Sequence, residues 1–352
     1  MSAPNPLPTA ASERSAEPTP ATAGAETMKA IVQDEYGTAP EEALRLEEIA
    51  RPAIAADEIL VRVHAASVDR GTWHLMTGLP YPIRLAGFGL RRPKALNPGR
   101  SLAGTVESVG QNVTGFQPGD EVYGTCDGSF AEYARARASR LAPKPANLSF
   151  EQAAAVPVSA LTALQAVRDR AKVQAGQKVL IIGASGGVGT FAVQIAKAFG
   201  AEVTGVCSTA KTDLVRGIGA DHVIDYTRDD FADGPHRYDV ILDIGGNRRL
   251  SHLRRALTPR GRLLIVGGEN GGRWLGGTDR QLRALLLSPL VSQKLGTFIT
   301  SENAEDLEVL RVLIESGKLA PAIDRTYPLS QTPAAISYVF QGRARGKVVI
   351  TI

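Results

Sequence analysis

Hydrophobic and polar residues follow two different rhythms along this chain, and the change between them divides it. From residue 28 to about residue 150, short strand-like runs such as EILVRVHAASV are separated by turns that contain Gly or Pro. From there to about residue 321, apolar strands such as QKVLIIG alternate with helical segments such as VGTFAVQIAKAFG. Strands that alternate with helices of about ten residues indicate βαβ units, so the pattern predicts an α/β fold with a parallel, doubly wound sheet.

The same pattern predicts two domains, one of which interrupts the other. We expect residues 28–150 to form a small, mostly β domain, a rolled-up barrel, and residues 151–321 to form a nucleotide-binding domain. KLAPAIDRTYPL and GKVVITI are strand-like again, which predicts that residues 322–352 complete the first domain. Residues 1–27 are rich in Ala, Pro, Ser and Thr without apolar periodicity, so we expect a disordered tail.

Composition and charge exclude several classes of partner. The net charge is only +4 and no Lys/Arg cluster is interleaved with aromatic residues, so nucleic acid is not an expected ligand. The chain has no run of about 18 apolar residues, so no membrane span is expected. Cys126 and Cys207 lie far apart and there is no secretory signal, which favours a reducing, cytoplasmic location.

A glycine-rich turn follows the first strand of the predicted sheet and opens the next helix. In such a turn, backbone N–H groups approach a pyrophosphate, and the helix N-terminus offers its partial positive charge to the anion. Ala184 stands where the first glycine of the usual motif would be, directly after Gly183. The residues predicted to hold the cofactor phosphates are Gly183, Ala184, Ser185, Gly186, Gly187, Val188 and Gly189.

The end of the second predicted strand favours NADPH over NADH. Cys207 stands where a carboxylate often binds the ribose hydroxyls of NAD, and Ser208, Thr209 and Lys211 follow it. Hydroxyls and an ammonium suit a 2′-phosphate, so these three residues are predicted to bind it. The alternative is a polar loop in which Ser208 or Thr209 caps the next helix. Tyr226, after the third strand, is predicted to lie beside the adenosine.

Several segments together resemble the medium-chain dehydrogenase/reductase superfamily, and within it the zinc-free quinone oxidoreductase and enoyl reductase branch. They are MKAIVQDEYG, PGDEVYGTCDGSFAEYA, VPVSALTALQAV, VLIIGASGGVGTFAVQIAKAFGA, GADHVIDY and GKVVI, and the likeness extends from residue 28 to residue 352. The resemblance implies a GroES-like catalytic domain, an inserted Rossmann domain, an active site in the cleft between them, and a homodimer.

The zinc ligands of the alcohol dehydrogenases in that superfamily have no counterparts here. Their first Cys would fall near residues 67–69, which read Ser-Val-Asp, and their His-Glu pair matches Arg100 and Ser101. Their later Cys falls near VPVSALTAL, which contains none. A catalytic zinc needs three or four ligands of Cys, His or Asp/Glu type, so no metal is expected.

The resemblance implies three candidate catalytic residues. Thr162 matches a threonine that lies close to the nicotinamide in relatives. Asp69 stands where relatives have Asn, and His74 where some have Tyr. Asp69 could instead pair with Arg70 or Arg100. His74 could donate a proton to the substrate or only pack within the domain.

Two further sets of residues are predicted to contact the cofactor. Asp243, Gly245, Gly267 and Gly268 end the fourth and fifth strands, at the sheet edge where ligands bind in doubly wound folds, although glycines there also suit ordinary turns. Arg345 and Lys347 match a basic terminal segment that approaches the cofactor in relatives. A solvated pair on an edge strand is the alternative for these two residues.

The sequence therefore predicts a zinc-independent, NADPH-dependent oxidoreductase that acts on a small conjugated molecule. Conjugation spreads the charge that a zinc ion would otherwise stabilise, so a quinone or an α,β-unsaturated ketone or aldehyde is the expected acceptor. A metal-free reductase of simple carbonyls that depends on His74 is one alternative. A catalytically silent NADPH-binding protein is another.

Overall fold

The computed structural model describes residues 26–268 and 272–352. Most of the predicted tail, residues 1–25, lies outside the described residues, and Thr27 already belongs to the first strand. The strands are β1 (Thr27–Val32), β2 (Arg45–Ala50), β3 (Glu58–Val68), β4 (Ser101–Val109), β5 (Glu121–Thr125), β6 (Tyr133–Arg137), β7 (Leu141–Pro143), β8 (Lys178–Ile182), β9 (Glu202–Cys207), β10 (His222–Asp225), β11 (Tyr238–Asp243), β12 (Leu257–Ile265), β13 (Lys294–Thr297), β14 (Ile323–Pro328) and β15 (Lys347–Thr351).

The helices lie mostly between the strands of the nucleotide-binding part. The α-helices are α1 (Pro40–Ala43), α2 (Arg70–Thr77), α3 (Phe150–Ala154), α4 (Pro157–Leu164), α5 (Gly187–Ala198), α6 (Thr212–Gly217), α7 (Leu250–Ala256), α8 (Gly272–Leu275), α9 (Thr278–Leu287), α10 (Ala304–Glu315) and α11 (Thr332–Phe340). Two π-helical segments cover Arg84–Phe88 and Gln165–Arg170. Within the described ranges, every helix is too short or too polar to cross a lipid bilayer.

The middle of the chain forms a six-stranded parallel sheet in the order β10-β9-β8-β11-β12-β13. This order reverses direction between β8 and β11, the arrangement in which doubly wound folds bind ligands at the carboxyl ends of the strands. Residues Val179 to Ile182 of β8 are buried, as expected for a strand covered by helices on both faces. The predicted α/β fold is confirmed.

The strands at the two ends of the chain share a second, mostly antiparallel sheet. Its order is β14-β15-β3-β4-β5-β7, with β6 paired to β3, and β1 and β2 form a separate antiparallel pair. β15 pairs with β14 on one side and β3 on the other, so it is an interior strand rather than the edge strand considered above. The predicted GroES-like barrel is confirmed, while the boundaries after residues 150 and 321 stay predictions.

Candidate functional site between the two sheets

The glycine-rich turn closes tightly on itself where β8 leads into α5. Gly183 has a φ of 85°, and its N–H and that of Ala184 both donate to the Val206 carbonyl. A Cβ on Gly189 would come less than 3.0 Å from the Gly183 carbonyl oxygen, so the turn can be this tight only with glycine. A Cβ on Gly186 would meet only that same oxygen, at 3.5 Å, which is an ordinary contact.

The packing of the protein itself therefore does not require a glycine at Gly186. It precedes the first turn of α5, whose N–H groups have no acceptor within the helix and point out of its N-terminus. The space that a side chain at Gly186 would fill is open, so a pyrophosphate can approach the backbone there. The loop fits the diphosphate of a dinucleotide.

The C-terminal part of the chain borders this loop. The Gly346 N–H donates to the Ser185 carbonyl at 2.9 Å, and Gly346 and Gly186 form a parallel bridge. A Cβ on Gly187 would lie 3.1 Å from Cδ of Lys347. The phosphate loop of one domain thus rests directly on the start of β15 in the other.

The polar residues after β9 lie together at one corner of this groove, and two of them are engaged within the protein. Thr209 donates its hydroxyl hydrogen to Asp225 at the end of β10. Lys211 donates from Nζ to the carbonyls of Gly342 at 2.8 Å and Ala344 at 2.7 Å. Neither interaction could be predicted from the local sequence, because the partners come from separate segments of the chain.

The Ser208 hydroxyl makes no hydrogen bond to any residue that the structure describes, and neither Ser208 nor Thr209 caps a helix with its side chain. Tyr226 is half exposed, and its N–H donates to the Cys207 carbonyl at 3.1 Å, which places it beside this corner. Burial raises the pKa of the Cys207 thiol to about 11, so the thiol is neutral at physiological pH. No carboxylate replaces it at the end of β9.

The carboxyl ends of β11 and β12 are held by an unexpected ion pair. Asp243 is fully buried, pairs with the Arg280 guanidinium of α9, and accepts the Gly246 N–H at 3.1 Å. Burial raises the pKa of this carboxyl, and the neighbouring guanidinium opposes the shift. Asp243 is therefore occupied in fixing the loop and the helix, and its carboxylate is not directed at a ligand.

Close backbone contacts account for the glycines at this edge. A Cβ on Gly267 would come less than 3.0 Å from the Ile244 carbonyl oxygen, and one on Gly268 would lie 2.9 Å from the Gly276 oxygen. Gly245 differs, because a Cβ there would meet its nearest atom, in Ile182, at 3.5 Å. Gly267 and Gly268 are thus required by packing, whereas Gly245 leaves room for a ligand beside the phosphate loop.

Asp69 lies in a fully buried polar cluster beneath the phosphate loop. Lys347 forms an ion pair with Oδ1 of Asp69, Ser159 donates to the same oxygen at 3.1 Å, and Ser101 donates to Oδ2 at 2.8 Å. The Lys347 ammonium also donates to the Val68 carbonyl at 3.3 Å and to Oγ of Ser159 at 3.1 Å, so its three N–H donors are in use.

Both predictions for this pair therefore need correction. The partner of Asp69 is Lys347 rather than Arg100, and Lys347 is 2% exposed, so it belongs to no solvated pair and its ammonium has no donor left for a phosphate. The Arg345 side chain, in contrast, is exposed, which agrees with the alternative that it is solvated. Asp69 and Lys347 thus form a buried ion pair beneath the phosphate loop.

Thr162 and His74 lie on the helices that border the cleft. Thr162 donates its hydroxyl hydrogen to the Val158 carbonyl at 2.7 Å and lies 3.0 Å from the hydroxyl of Thr300, after β13. His74 bonds through Nδ1 to the Leu79 carbonyl at 2.8 Å. A carbonyl can only accept, so Nδ1 carries the proton, and Nε2 of the neutral ring can only accept.

Burial lowers the pKa of His74, which keeps the imidazole neutral near pH 7. In that state it has no proton on Nε2 to give to a substrate. A cavity of about 670 Å³ lies beside it, lined by Leu79, Tyr81, Arg84 and, from α8 of the other domain, Arg273. His74 is not among the residues that line this cavity, and its hydrogen bond to Leu79 favours a structural role.

The residues at the expected zinc position do not fit a zinc ion. Arg100 forms a bidentate ion pair with Glu302, with Nη2 2.7 and 2.6 Å from the two carboxylate oxygens. Asp69 is already neutralised by Lys347, and Ser101 offers only a hydroxyl. Among the residues described, no three His, Cys, Asp or Glu side chains are grouped closely enough to hold a metal ion.

Family models match both parts of the chain. Residues 55–146 match the alcohol dehydrogenase GroES-like domain, and residues 218–350 match a family described as zinc-binding dehydrogenase. The second description concerns the family; in residues 26–268 and 272–352 no group of three His, Cys, Asp or Glu side chains could hold a zinc ion.

Similar proteins include enzymes of one general type. The chain is 34% identical to 2-methylene-furan-3-one reductase from Solanum lycopersicum, over 92% of this chain and 79% of that protein. It is 34% identical to the mitochondrial NAD(P)H oxidoreductase RTN4IP1 of Mus musculus, over 92% and 89%. The solved quinone oxidoreductase of Coxiella burnetii superposes with a TM-score of 0.78 at 27% identity, over 93% of this chain and all of that one.

Proposed function

Because this chain belongs to the quinone oxidoreductase and enoyl reductase branch of the medium-chain dehydrogenase/reductase superfamily, we propose that it reduces a conjugated carbonyl compound or a quinone with NADPH, without zinc. The chain is an oxidoreductase that uses a nicotinamide cofactor. We propose three finer properties: the conjugated class of its acceptor, its preference for NADPH and its independence of zinc.

The observation that carries this proposal is the pair of ion pairs at the expected metal position. Lys347 and Arg100 place two cations there, each compensated by a carboxylate, Asp69 or Glu302. These groups are fully engaged with each other and cannot stabilise an alkoxide as a metal would. An acceptor whose developing charge spreads over a conjugated system needs less help from the protein.

The chain's own residues would act mainly by binding, orienting and excluding water. When bound, NADPH supplies the hydride. The phosphate loop holds the diphosphate through the backbone N–H groups around Gly186, and the contact between Thr162 and Thr300 closes the space between α4 and the end of β13. His74, neutral and bonded through Nδ1 to Leu79, has no proton on Nε2 to give to the substrate.

The preference for NADPH is supported by the corner after β9. No carboxylate ends that strand, the Ser208 hydroxyl is available, and Lys211 adds a positive charge nearby. Asp225 lies close by, but its carboxylate accepts from the Thr209 and Thr227 hydroxyls. A 2′-phosphate therefore meets hydroxyl and cationic groups rather than an unpaired acid.

Two further parts of the proposal concern the assembly and the location. The homodimer is implied by the family resemblance, and the exposed leucines Leu282, Leu285 and Leu286 of α9 supply an apolar face next to the edge strand β13. A cytoplasmic location stays a prediction, which fractionation of expressing cells would test.

The experiment that tests the proposal follows NADPH oxidation by chelator-treated protein with matched acceptors. The set contains a quinone, an enone, an enal and the saturated counterpart of each carbonyl compound. We expect turnover with the conjugated members alone, and no gain when zinc is added back. Equal turnover of saturated carbonyls would overturn the conjugate-reduction proposal, and tight NADPH binding with no turnover of any acceptor would indicate a binding protein instead.

A further inference from the structure

A surface loop before β4 exposes several large apolar side chains. This segment, residues 84–96, is here called the basic loop, and it begins with the π-helical turn Arg84–Phe88. Leu85 is 76% exposed and Leu90 is 66% exposed. The other exposed apolar side chains of the loop are Phe88 and Leu96. A single exposed leucine is ordinary on a protein surface, but a group of large apolar side chains within one loop marks an interaction surface.

The backbone of the basic loop is held in place by several contacts. The Tyr36 hydroxyl lies 2.9 Å from the Phe88 carbonyl oxygen and 2.7 Å from that of Gly89. The Lys94 N–H donates to the same Phe88 carbonyl at 2.9 Å. Cζ of Arg84 lies over the Tyr36 ring, 4.2 Å from its centroid. The apolar side chains are therefore exposed by a folded loop, not by a segment that lacks contacts.

Helix α8 of the nucleotide-binding domain adds a tryptophan to this surface. Just before the loop, the Tyr81 N–H donates to the Arg273 carbonyl at 2.9 Å. The rings of Tyr81 and Trp274 meet edge to face, with their centroids 5.1 Å apart. Trp274 is 73% exposed and Leu275 is exposed as well, so α8 extends the apolar patch beside the basic loop.

The basic loop also carries positive charge. Arg91, Arg92 and Lys94 are exposed, and none of their side chains forms an ion pair with a residue in the ranges 26–268 and 272–352. Residues 70–106 contain no Asp or Glu. The acids of the adjoining cavity come instead from the segment between β1 and β2, and they are Asp34, Glu35 and Glu42. The loop itself is therefore both apolar and cationic.

An anionic lipid surface fits this combination better than the centre of a protein interface does. Charged residues, lysine among them, are depleted at the centre of protein interfaces. At a membrane surface, leucine and tryptophan side chains enter the boundary between headgroups and acyl chains, while lysine and arginine contact anionic headgroups. Leu90 directly precedes Arg91 and Arg92, so both kinds of contact can form at once.

We propose that the basic loop and α8 dock this protein on an anionic lipid surface, without crossing it. Tyr81 and Arg84 line the cavity of about 670 Å³ described above and also border the docking surface. Docking would therefore place that cavity next to the lipid, from which an apolar acceptor such as a long-chain quinone could enter. This last consequence rests on the proposed function, whereas docking itself does not.

Co-sedimentation of the full chain with lipid vesicles tests the docking without requiring turnover. We expect binding to an equal mixture of phosphatidylcholine and phosphatidylglycerol, weaker binding when salt is raised, and little binding to phosphatidylcholine alone. Arg91→Gln and Arg92→Gln should each weaken binding to the mixed vesicles by about fivefold. Leu90→Ser should weaken it by about tenfold, because one leucine no longer enters the lipid.

Two variants on other surfaces are matched controls. Arg260→Gln on β12 removes one exposed arginine, and Val312→Ser on α10 removes one exposed apolar side chain. Both should bind the mixed vesicles like the wild type. Wild-type protein that stays in the supernatant would overturn the proposal, and so would loop variants that bind no more weakly than the controls. Protein that ignores vesicles but changes from dimer to monomer on Leu90→Ser would assign the face to a second copy of the chain instead.

The consequence for the acceptor has its own readout. With a long-chain quinone dissolved in the vesicles, NADPH oxidation should be faster in mixed vesicles than in phosphatidylcholine vesicles. Arg91→Gln should remove part of that gain and leave turnover of a water-soluble quinone unchanged. Vesicle binding without turnover of any quinone would contradict the quinone part of the proposed function and leave docking intact. Turnover of water-soluble acceptors without vesicle binding would contradict docking alone.

Discussion

Replacing Gly186 by alanine is expected to weaken cofactor binding while leaving the fold nearly intact. The new Cβ would lie 3.5 Å from the Gly183 oxygen, and the backbone φ of −86° suits any residue. Alanine is slightly worse than glycine at a helix N-cap but restricts the unfolded chain, so the free energy of unfolding should change by less than about 1 kcal/mol.

The effect on the cofactor should be larger, because the methyl group enters the space through which a phosphate reaches the backbone. Loss of one charge-assisted hydrogen bond costs about 1.5–3 kcal/mol. That is a weakening of about tenfold to about a hundredfold in NADPH binding. Gly189→Ala is the matched control with the opposite result: its Cβ would collide with the Gly183 carbonyl, and the strain should cost about 1–3 kcal/mol of stability.

Urea unfolding of the cofactor-free protein and calorimetric titration with NADPH measure the two quantities separately. We expect a crossed pattern, in which Gly186→Ala loses affinity at nearly constant stability and Gly189→Ala loses stability. If Gly186→Ala bound NADPH like the wild type, the open space at that position would not be where the diphosphate lies. If Gly189→Ala were as stable as the wild type, the turn would have room for a Cβ at that position.

Other predictions concern the residues of the cleft. His74→Phe should reduce enone turnover by less than about tenfold, measured with NADPH at pH 7, because loss of a general acid would cost about a hundredfold or more. Since burial lowers the pKa of His74 below its unfolded value, the unfolded state binds the proton more readily, and wild-type stability should fall as pH drops below about 6.5. His74→Gln should show a smaller fall over the same window in urea titrations, and an identical fall would contradict the shift. Lys347→Met should cost about 3–5 kcal/mol of stability by leaving Asp69 buried and unpaired, and the double variant with Asp69→Asn should recover part of that loss in the same assay. An additive double variant would show that the pair is not coupled.

The fold and the local parts of the site could be predicted from the sequence because their signals lie within short segments. The alternation of strands and helices predicts the parallel sheet, and the loop around Gly186 combines a strand, closely spaced glycines and a helix in one run of residues. The polar corner at Ser208 was likewise visible, because its composition departs from the usual carboxylate. Each of these features depends on neighbours in sequence.

The polar clusters could not be predicted, because their members are far apart in sequence. Asp69 and Lys347 are separated by 278 positions, and Arg100 and Glu302 by 202. Arg280 lies on α9, and nothing in its local sequence points to a pairing with the buried Asp243. Periodicity in a single sequence predicts which face of a helix or strand is buried. It does not predict which charged side chain from a distant segment lies against that face.

The neutralised pair beneath the phosphate loop limits the positive charge that the loop offers to a cofactor. Lys347 lies next to Gly187, so without its ion pair its ammonium could bind the diphosphate directly. Here Asp69 cancels that charge and the surrounding hydroxyls take up its donors, so the loop offers backbone N–H groups and a helix N-terminus but no free cation. The charge needed by a cofactor with an additional phosphate must then come from elsewhere. Under the proposed function, Lys211 after β9 supplies part of that charge, while its Nζ also holds the segment before β15 in place.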